Sequence, residues 1–195
     1  MIAARYKNHV SQLQTNYESA LLSVFDKQPP DGVLLYSGSE QHYYADDRGI
    51  AFQAYGHFLH WIDVNRPGQM LCIRPGHKPV YYQVIPDDYW YEQEIVSDPV
   101  WGDCFEVVRL TSETALIEQI EGNYVFLGNN RALAEALGVP GALSNPKALL
   151  AQLNIPTYHF HQPEDAEELS GILSHAYMAR KPVAVLMDAT FWKRQ

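Results

Sequence analysis

The chain has 195 residues, 47% hydrophobic and 19% charged, which suffices for one well-buried core and leaves a second full domain cramped. Its 23 acidic against 14 basic side chains give a formal net charge of −9, and no Lys or Arg run exceeds a pair, so nucleic acid and anionic membranes are poor partners. The start MIAARYKNHVSQLQ lacks an apolar signal region, and no apolar run reaches the ~20 residues a membrane helix needs; the expectation is a soluble, cytoplasmic chain.

Residues 3 to 25 read as an amphipathic helix. Tyr6, Val10, Leu13, Tyr17, Leu21 and Val24 recur at spacings of three and four, with Lys7, Ser11, Gln14 and Glu18 on the other face. Pro29-Pro30 ends it and Asp31-Gly32 turns the chain. Val33-Leu34-Leu35-Tyr36 is a buried strand closed by Ser37-Gly38, whose glycine lets the chain leave the strand sharply.

Just past the carboxyl end of that strand lies HYYADDRGIAFQAYGHFLHW, residues 42–61, rich in rings, histidines and an acidic pair. Ligand crevices in open α/β sheets favour such positions. Two strand-like runs follow, Met70 to Ile73 and Val80 to Ile85, joined across Arg74-Pro75-Gly76 as a hairpin, and then Phe105 to Leu110. The hairpin makes a mixed sheet the expectation. Cys72 and Cys104 sit inside such apolar runs, as free thiols packing like small hydrophobes in a reduced protein, with a single disulfide left open.

Helix and strand then alternate. Thr111 or Ser112 caps a helix through Ile120; Tyr124 to Gly128 is a strand; Arg131 to Leu137 is a helix stopped at Gly138; Pro146 opens a helix from Ala148 to Leu153. After Asn154, a strand at Tyr158-His159-Phe160, a helix from Pro163 to Lys181 and a strand at Val183 to Met187 form a last unit. The fold class expected is α/β, a mixed sheet flanked by helices. Residues 1–154 form the main domain, and 155–195 a strand-helix-strand extension packed on it.

The chemistry-bearing patterns are sparse. His57 and His60 are three apart, His159 and His161 two apart, and neither pair has the i, i+4 spacing of a zinc helix, so no metal ligands are assigned. Ser37-Gly38-Ser39 lacks the frame of a hydrolase nucleophile elbow, and no glycine-rich phosphate loop is present. No catalytic residue is assigned. Asp46-Asp47 and Asp87-Asp88 each sit among rings: either they are solvated turn acids, or a carboxylate there receives a ligand's ammonium group beside an apolar wall. The 13 tyrosines and four tryptophans suit protein contacts.

One order of residues resembles a known family. Tyr6-Lys7-Asn8-His9-Val10 and Leu13-Gln14, Asp31-Gly32-Val33 into Ser37-Gly38, Asp46-Asp47, Phe52, Phe58 and Trp61, Lys78-Pro79, Pro86-Asp87-Asp88-Tyr89-Trp90, Trp101 and Asn145-Pro146 look like the N-terminal, creatinase-type domain of bacterial proline dipeptidases, a family that includes the organophosphorus acid anhydrolases. The pattern runs over roughly residues 1 to 150 and departs from the family between Asp47 and Phe52 and at Gly56.

That resemblance implies a mixed sheet with helices and no catalytic machinery in this domain. In the family, a following domain holds two metal ions, usually manganese, and hydrolyses Xaa-Pro dipeptides; this chain is expected to hold no cofactor itself. The resemblance also implies a homodimer, or docking on a catalytic partner, in which Asp47 reaches a neighbouring active site near the substrate's amino end. His57, Trp61 and Trp90 join Asp47 as candidates for that pocket or interface.

Residues 155–195 resemble, more weakly, the closing strand-helix-strand of the pyrimidine-binding domain of thiamine-diphosphate decarboxylases. Three readings therefore stand: a non-catalytic accessory or dimerisation domain, an enzyme subunit of the metal-dependent dipeptidase or thiamine-diphosphate type, and a small-molecule binding module. Retention of a partner, a cofactor or a ligand through purification separates them.

Overall fold

The computed structural model describes residues 2–40, 51–86 and 101–153. Its elements are α1 (Ile2–Val24), β1 (Gly32–Tyr36), α2 (Gly56–Trp61), β2 (Met70–Ile73), β3 (Val80–Val84), β4 (Glu106–Leu110), α3 (Thr114–Gln119), β5 (Tyr124–Leu127), α4 (Arg131–Ala136) and α5 (Lys147–Gln152). The strands form one sheet in the order β4-β3-β2-β1-β5. β2 runs antiparallel to both β1 and β3, while β1 pairs with β5, and β3 with β4, in parallel. The sheet is thus mixed, as the hairpin predicts, and the carboxyl ends of β1, β3, β4 and β5 share one edge.

β1, flanked by β2 and β5, is buried along its whole length, which is why it reads as an unbroken apolar run rather than an alternation. Val33 and Leu35 face a core shared with Tyr6, Val10, Leu13, Tyr17 and Leu21 of α1 and with α2 and α5. Leu34 and Tyr36 face a second core against Leu116 of α3 and Leu133 of α4. Helices therefore cover both faces. Cys72 belongs to one core and Cys104 to the other, so the sheet separates the two buried free thiols.

Two sequence signatures acquire physical reasons here. At Gly32 a Cβ would overlap the carbonyl oxygen of Ile73, so only glycine lets β1 and β2 pair there. Beside it, the Asp31 amide donates to the Asn123 carbonyl at 2.7 Å and the Asp31 carboxylate accepts from the Asn123 amide at 2.7 Å, pinning the start of β1 to the start of β5.

Asn145 does the corresponding work at the far end of β5. Its φ is +50°, a left-handed conformation that asparagine tolerates better than most residues. The side chain accepts from Gly128 N at 3.0 Å and donates to Gly128 O at 2.7 Å, and its own amide donates to Phe126 O at 2.8 Å. Pro146 then opens α5 from extended geometry. We expect Asn145→Ala to cost about 2 kcal/mol, from two lost hydrogen bonds and the left-handed strain of alanine. A urea midpoint unchanged within error would contradict this.

The sequence boundaries shift slightly elsewhere. Ser112 does receive the Ala115 amide, at 3.3 Å, but α3 begins only at Thr114. Gly138 has φ +72° where α4 stops. α2 is an element the periodicity did not announce. Residues 155–195, the proposed extension, lie outside the described residues.

Candidate functional site

At the shared carboxyl edge the chain builds a buried polar lattice. The Gln69 side chain uses all its hydrogen-bonding positions: Oε1 accepts from Tyr81 Oη at 2.8 Å and Val84 N at 3.2 Å, while Nε2 donates to Pro67 O at 2.8 Å and Val84 O at 2.9 Å. Its backbone amide donates to Ser37 Oγ at 2.9 Å, and its carbonyl accepts from Ser37 N at 2.9 Å. The Ser37 carbonyl in turn accepts from Tyr55 N at 2.8 Å, which sets the entry to α2. This amide acts as an extra rung between β2 and β3 where regular pairing stops.

Beside it runs a directed chain of hydrogen bonds. Asn130 Nδ2 donates to Ser39 Oγ at 3.1 Å, Ser39 Oγ lies 2.8 Å from Tyr36 Oη, and Tyr36 Oη donates to Glu113 Oε1 at 3.0 Å. Because the phenol's one proton goes to Glu113, the Ser39 hydroxyl is the donor to Tyr36. Burial pushes the Tyr36 phenol up to about 12, so it is a neutral donor at pH 7 and no base. Gly68 sits so close that a Cβ there would approach Glu113 Oε1 to 2.8 Å. Ser39, Glu113 and Asn130 were not singled out from sequence, since they come together only across 77 and 91 positions of chain.

The second cluster joins α1 and α2. Trp61 is fully buried, its ring edge-on to Tyr17 with centroids 5.1 Å apart, and its carbonyl accepts from Tyr6 Oη. The indole N–H lies outside hydrogen-bond geometry. Burial lifts the Tyr17 phenol well above its ordinary range, and the nearby indole N–H opposes this only in part. Tyr17 Oη is also 3.4 Å from Nδ1 of the half-buried His57, whose ring lies 5.3 Å from that of Tyr55. The sequence candidates His57 and Trp61 thus meet through Tyr17, Trp61 in the core and His57 at its margin. His9 Nε2 donates to the His60 carbonyl at 2.8 Å, so that nitrogen carries the proton.

Burial depresses the His57 pKa because the charged ring is the form that loses hydration. The unfolded chain binds more protons near pH 6, so stability falls as pH drops through the ordinary histidine range. The slope is below about 1.4 kcal/mol per pH unit for one group. We expect His57→Gln to flatten the melting-temperature profile between pH 7 and 5; an unchanged slope would assign the acid sensitivity elsewhere.

Asp47 and Trp90, the other two candidates, lie outside the described residues. The flanking residues are described: Ser37 to Glu40, leading toward Asp47, and Ile85-Pro86, leading toward Trp90, leave the same edge of the sheet from β1 and β3. Among the described residues, no three His, Cys, Asp or Glu side chains converge as metal ligands. No helix among them is long and apolar enough to cross a membrane.

Two clefts lie away from that edge. One, about 370 Å³, holds Arg74, whose buried Nε has no hydrogen bond, with Glu106, Glu118 and Glu121 around it. The other, about 470 Å³, runs between α1 and the end of α5 beside His60.

An Xaa-Pro dipeptidase of Marinobacter nauticus is 32% identical over 144 residues, covering 73% of this chain and 32% of the relative. One of Colwellia psychrerythraea is 28% identical over 164 residues, covering 81% and 34%. The chain thus spans about a third of the length of the relatives it matches. Among solved structures, a variant of Escherichia coli aminopeptidase P aligns over 80% of this chain and 34% of that one, with 13% identity and a TM-score of 0.41. The family model described as "Xaa-Pro dipeptidase, N-terminal domain" matches residues 4–155, and the chain belongs to that family.

Proposed function

We propose that this chain is an accessory domain that performs no chemistry alone and completes the active site of a metal-dependent Xaa-Pro dipeptidase. It does so by docking on a catalytic domain or by pairing with a second copy. The observation that carries this reading is the family match over residues 4–155, which is a match to the N-terminal domain alone. The match covers about a third of the length of these relatives, which are named for the dipeptidase activity.

In this reading Asp47 supplies a carboxylate for the ammonium end of a dipeptide bound by the neighbour. Trp90 and His57 shape the wall beside it, and Trp61 holds α2 on α1 beneath them. What supports this arrangement is the common departure edge of the two segments that carry Asp47 and Trp90, rooted in the Gln69 and Tyr36 lattices. Such lattices fix loop roots on a rigid scaffold while leaving the loops to meet a partner.

The test is native mass by light scattering, with Xaa-Pro dipeptide hydrolysis measured with and without manganese, for the chain alone and mixed with a dipeptidase catalytic domain. The expected result is no turnover alone, and turnover of the mixture that falls at least tenfold with Asp47→Ala through a raised KM. Metal-dependent turnover by the chain alone would overturn the reading.

A further inference from the structure

The cleft around Arg74 lies at the edge of the sheet opposite the polar lattices. Arg74 directly follows β2, which runs antiparallel to its neighbours, while Val80, Glu106 and Tyr124 are the first residues of β3, β4 and β5, so all four meet at the amino edge of the other strands. Cys72 and Tyr82 extend the floor along the sheet face that packs on α3, and the end of α3, with Glu118 and Glu121, forms the opposite wall. A volume of about 370 Å³ is within the range of small-molecule sites.

The charges in this cleft are unequal and unpaired. Burial raises the Tyr124 phenol to about 12 and the Cys72 thiol to about 11, so both are neutral at pH 7. What remains is one guanidinium against three carboxylates, those of Glu106, Glu118 and Glu121. Arg74 Nε is buried without a hydrogen bond, and none of the three glutamates forms an ion pair with it. A buried cationic N–H without an acceptor is costly, and a ligand that supplies the acceptor removes that cost. Burial also raises the Tyr82 phenol, on which Arg74 and Glu106 act with opposite sign, so both charges stand within electrostatic reach of one hydroxyl.

We propose that the cleft binds a small zwitterion with an α-ammonium and a carboxylate, a free amino acid or a dipeptide. A simple anion would satisfy Arg74 but face three carboxylates. A simple cation would satisfy the carboxylates but face Arg74 and leave its Nε without an acceptor. Only a ligand with both charges meets both sets, and the mismatch on each side rejects the others. The planar guanidinium takes the carboxylate through Nε and a terminal nitrogen, the glutamates take the ammonium, and the ligand's side chain rests on Val80 and the rings of Tyr82 and Tyr124. The site is at the other edge of the sheet from the roots of the segments carrying Asp47 and Trp90, and the inference holds whether or not the chain serves a dipeptidase.

The experiment is isothermal titration calorimetry on the full chain at pH 7 with L-leucine, leucyl-proline, N-acetyl-leucine, which lacks the ammonium, and leucinamide, which lacks the carboxylate. We expect saturable one-to-one binding of leucine or leucyl-proline, with N-acetyl-leucine and leucinamide each at least tenfold weaker, because each leaves one set of charges unmatched. The tighter of the two zwitterions distinguishes a free amino acid from a dipeptide as the source of that chemistry. Arg74→Gln, its fold checked by circular dichroism, should weaken the tighter zwitterion at least tenfold. The analogues are titrated into the unmodified chain, so the comparison stands even where the variant does not fold. Leucinamide binding as tightly as leucine would overturn the proposal by making the cleft a cation site of its glutamates, and N-acetyl-leucine doing so would make it an anion site of Arg74. No saturable binding of either zwitterion would overturn it too, leaving Arg74 as a structural countercharge.

Discussion

Replacing Gln69 with leucine lowers the stability of the fold by about 3–5 kcal/mol, although the volume changes little and the new side chain is apolar. The reason is what remains behind. Tyr81 Oη and the amide and carbonyl of Val84 lose their partner at a buried site, and the carbonyl of Pro67 loses its own at a partly buried one. Each unpaired buried group costs roughly 1–3 kcal/mol, and partial relaxation recovers some of the sum. Tyr81→Phe, by contrast, removes one partner of an oxygen that keeps its bond to Val84 N, and should cost about 1 kcal/mol. In the double variant one of the orphaned groups is gone, so the two costs add to less than their sum. Urea unfolding with unchanged m-values reads all three; a loss below about 1 kcal/mol in Gln69→Leu would mean that water replaces the amide and that the lattice does not root the strand ends.

That lattice also marks where reading the sequence stops short. The α1 stripe, the β1 run and the hairpin were legible because each repeats a local signal over enough residues, and all three stand in the structure. α2, GHFLHW, spans fewer than two turns, and its rings and histidines carry no period that separates helix from loop. The Asp31, Gly32 and Asn145 signatures could be matched to a family by residue type. Their causes are a close strand approach and pairings across 92 and 17 positions, which no local pattern contains. Gln69 gave no signal at all, since a glutamine before a strand is usually a solvated turn residue. Trp61 illustrates the converse: a tryptophan in a ring-rich stretch is read as a contact residue from composition, whereas its side of the helix is decided by what α1 presents to it.

The burial of Trp61 can be weighed directly. Trp61→Ala is expected to destabilise the chain by about 3–5 kcal/mol, because the ring fills the junction of α1, α2 and the sheet and α1 cannot close fully on the space left. Trp61→Phe should cost far less, about 1–2 kcal/mol. It keeps an aromatic edge against Tyr17 and removes an indole N–H that has no hydrogen bond in the native fold. The ratio of the two costs is therefore the informative quantity. A large loss for alanine with a small one for phenylalanine assigns Trp61 to holding α2 in place, so that any effect on a partner's active site travels through the position of His57. Similar small losses for both, with activity of the mixed enzyme falling in parallel, would instead put the ring at the interface itself.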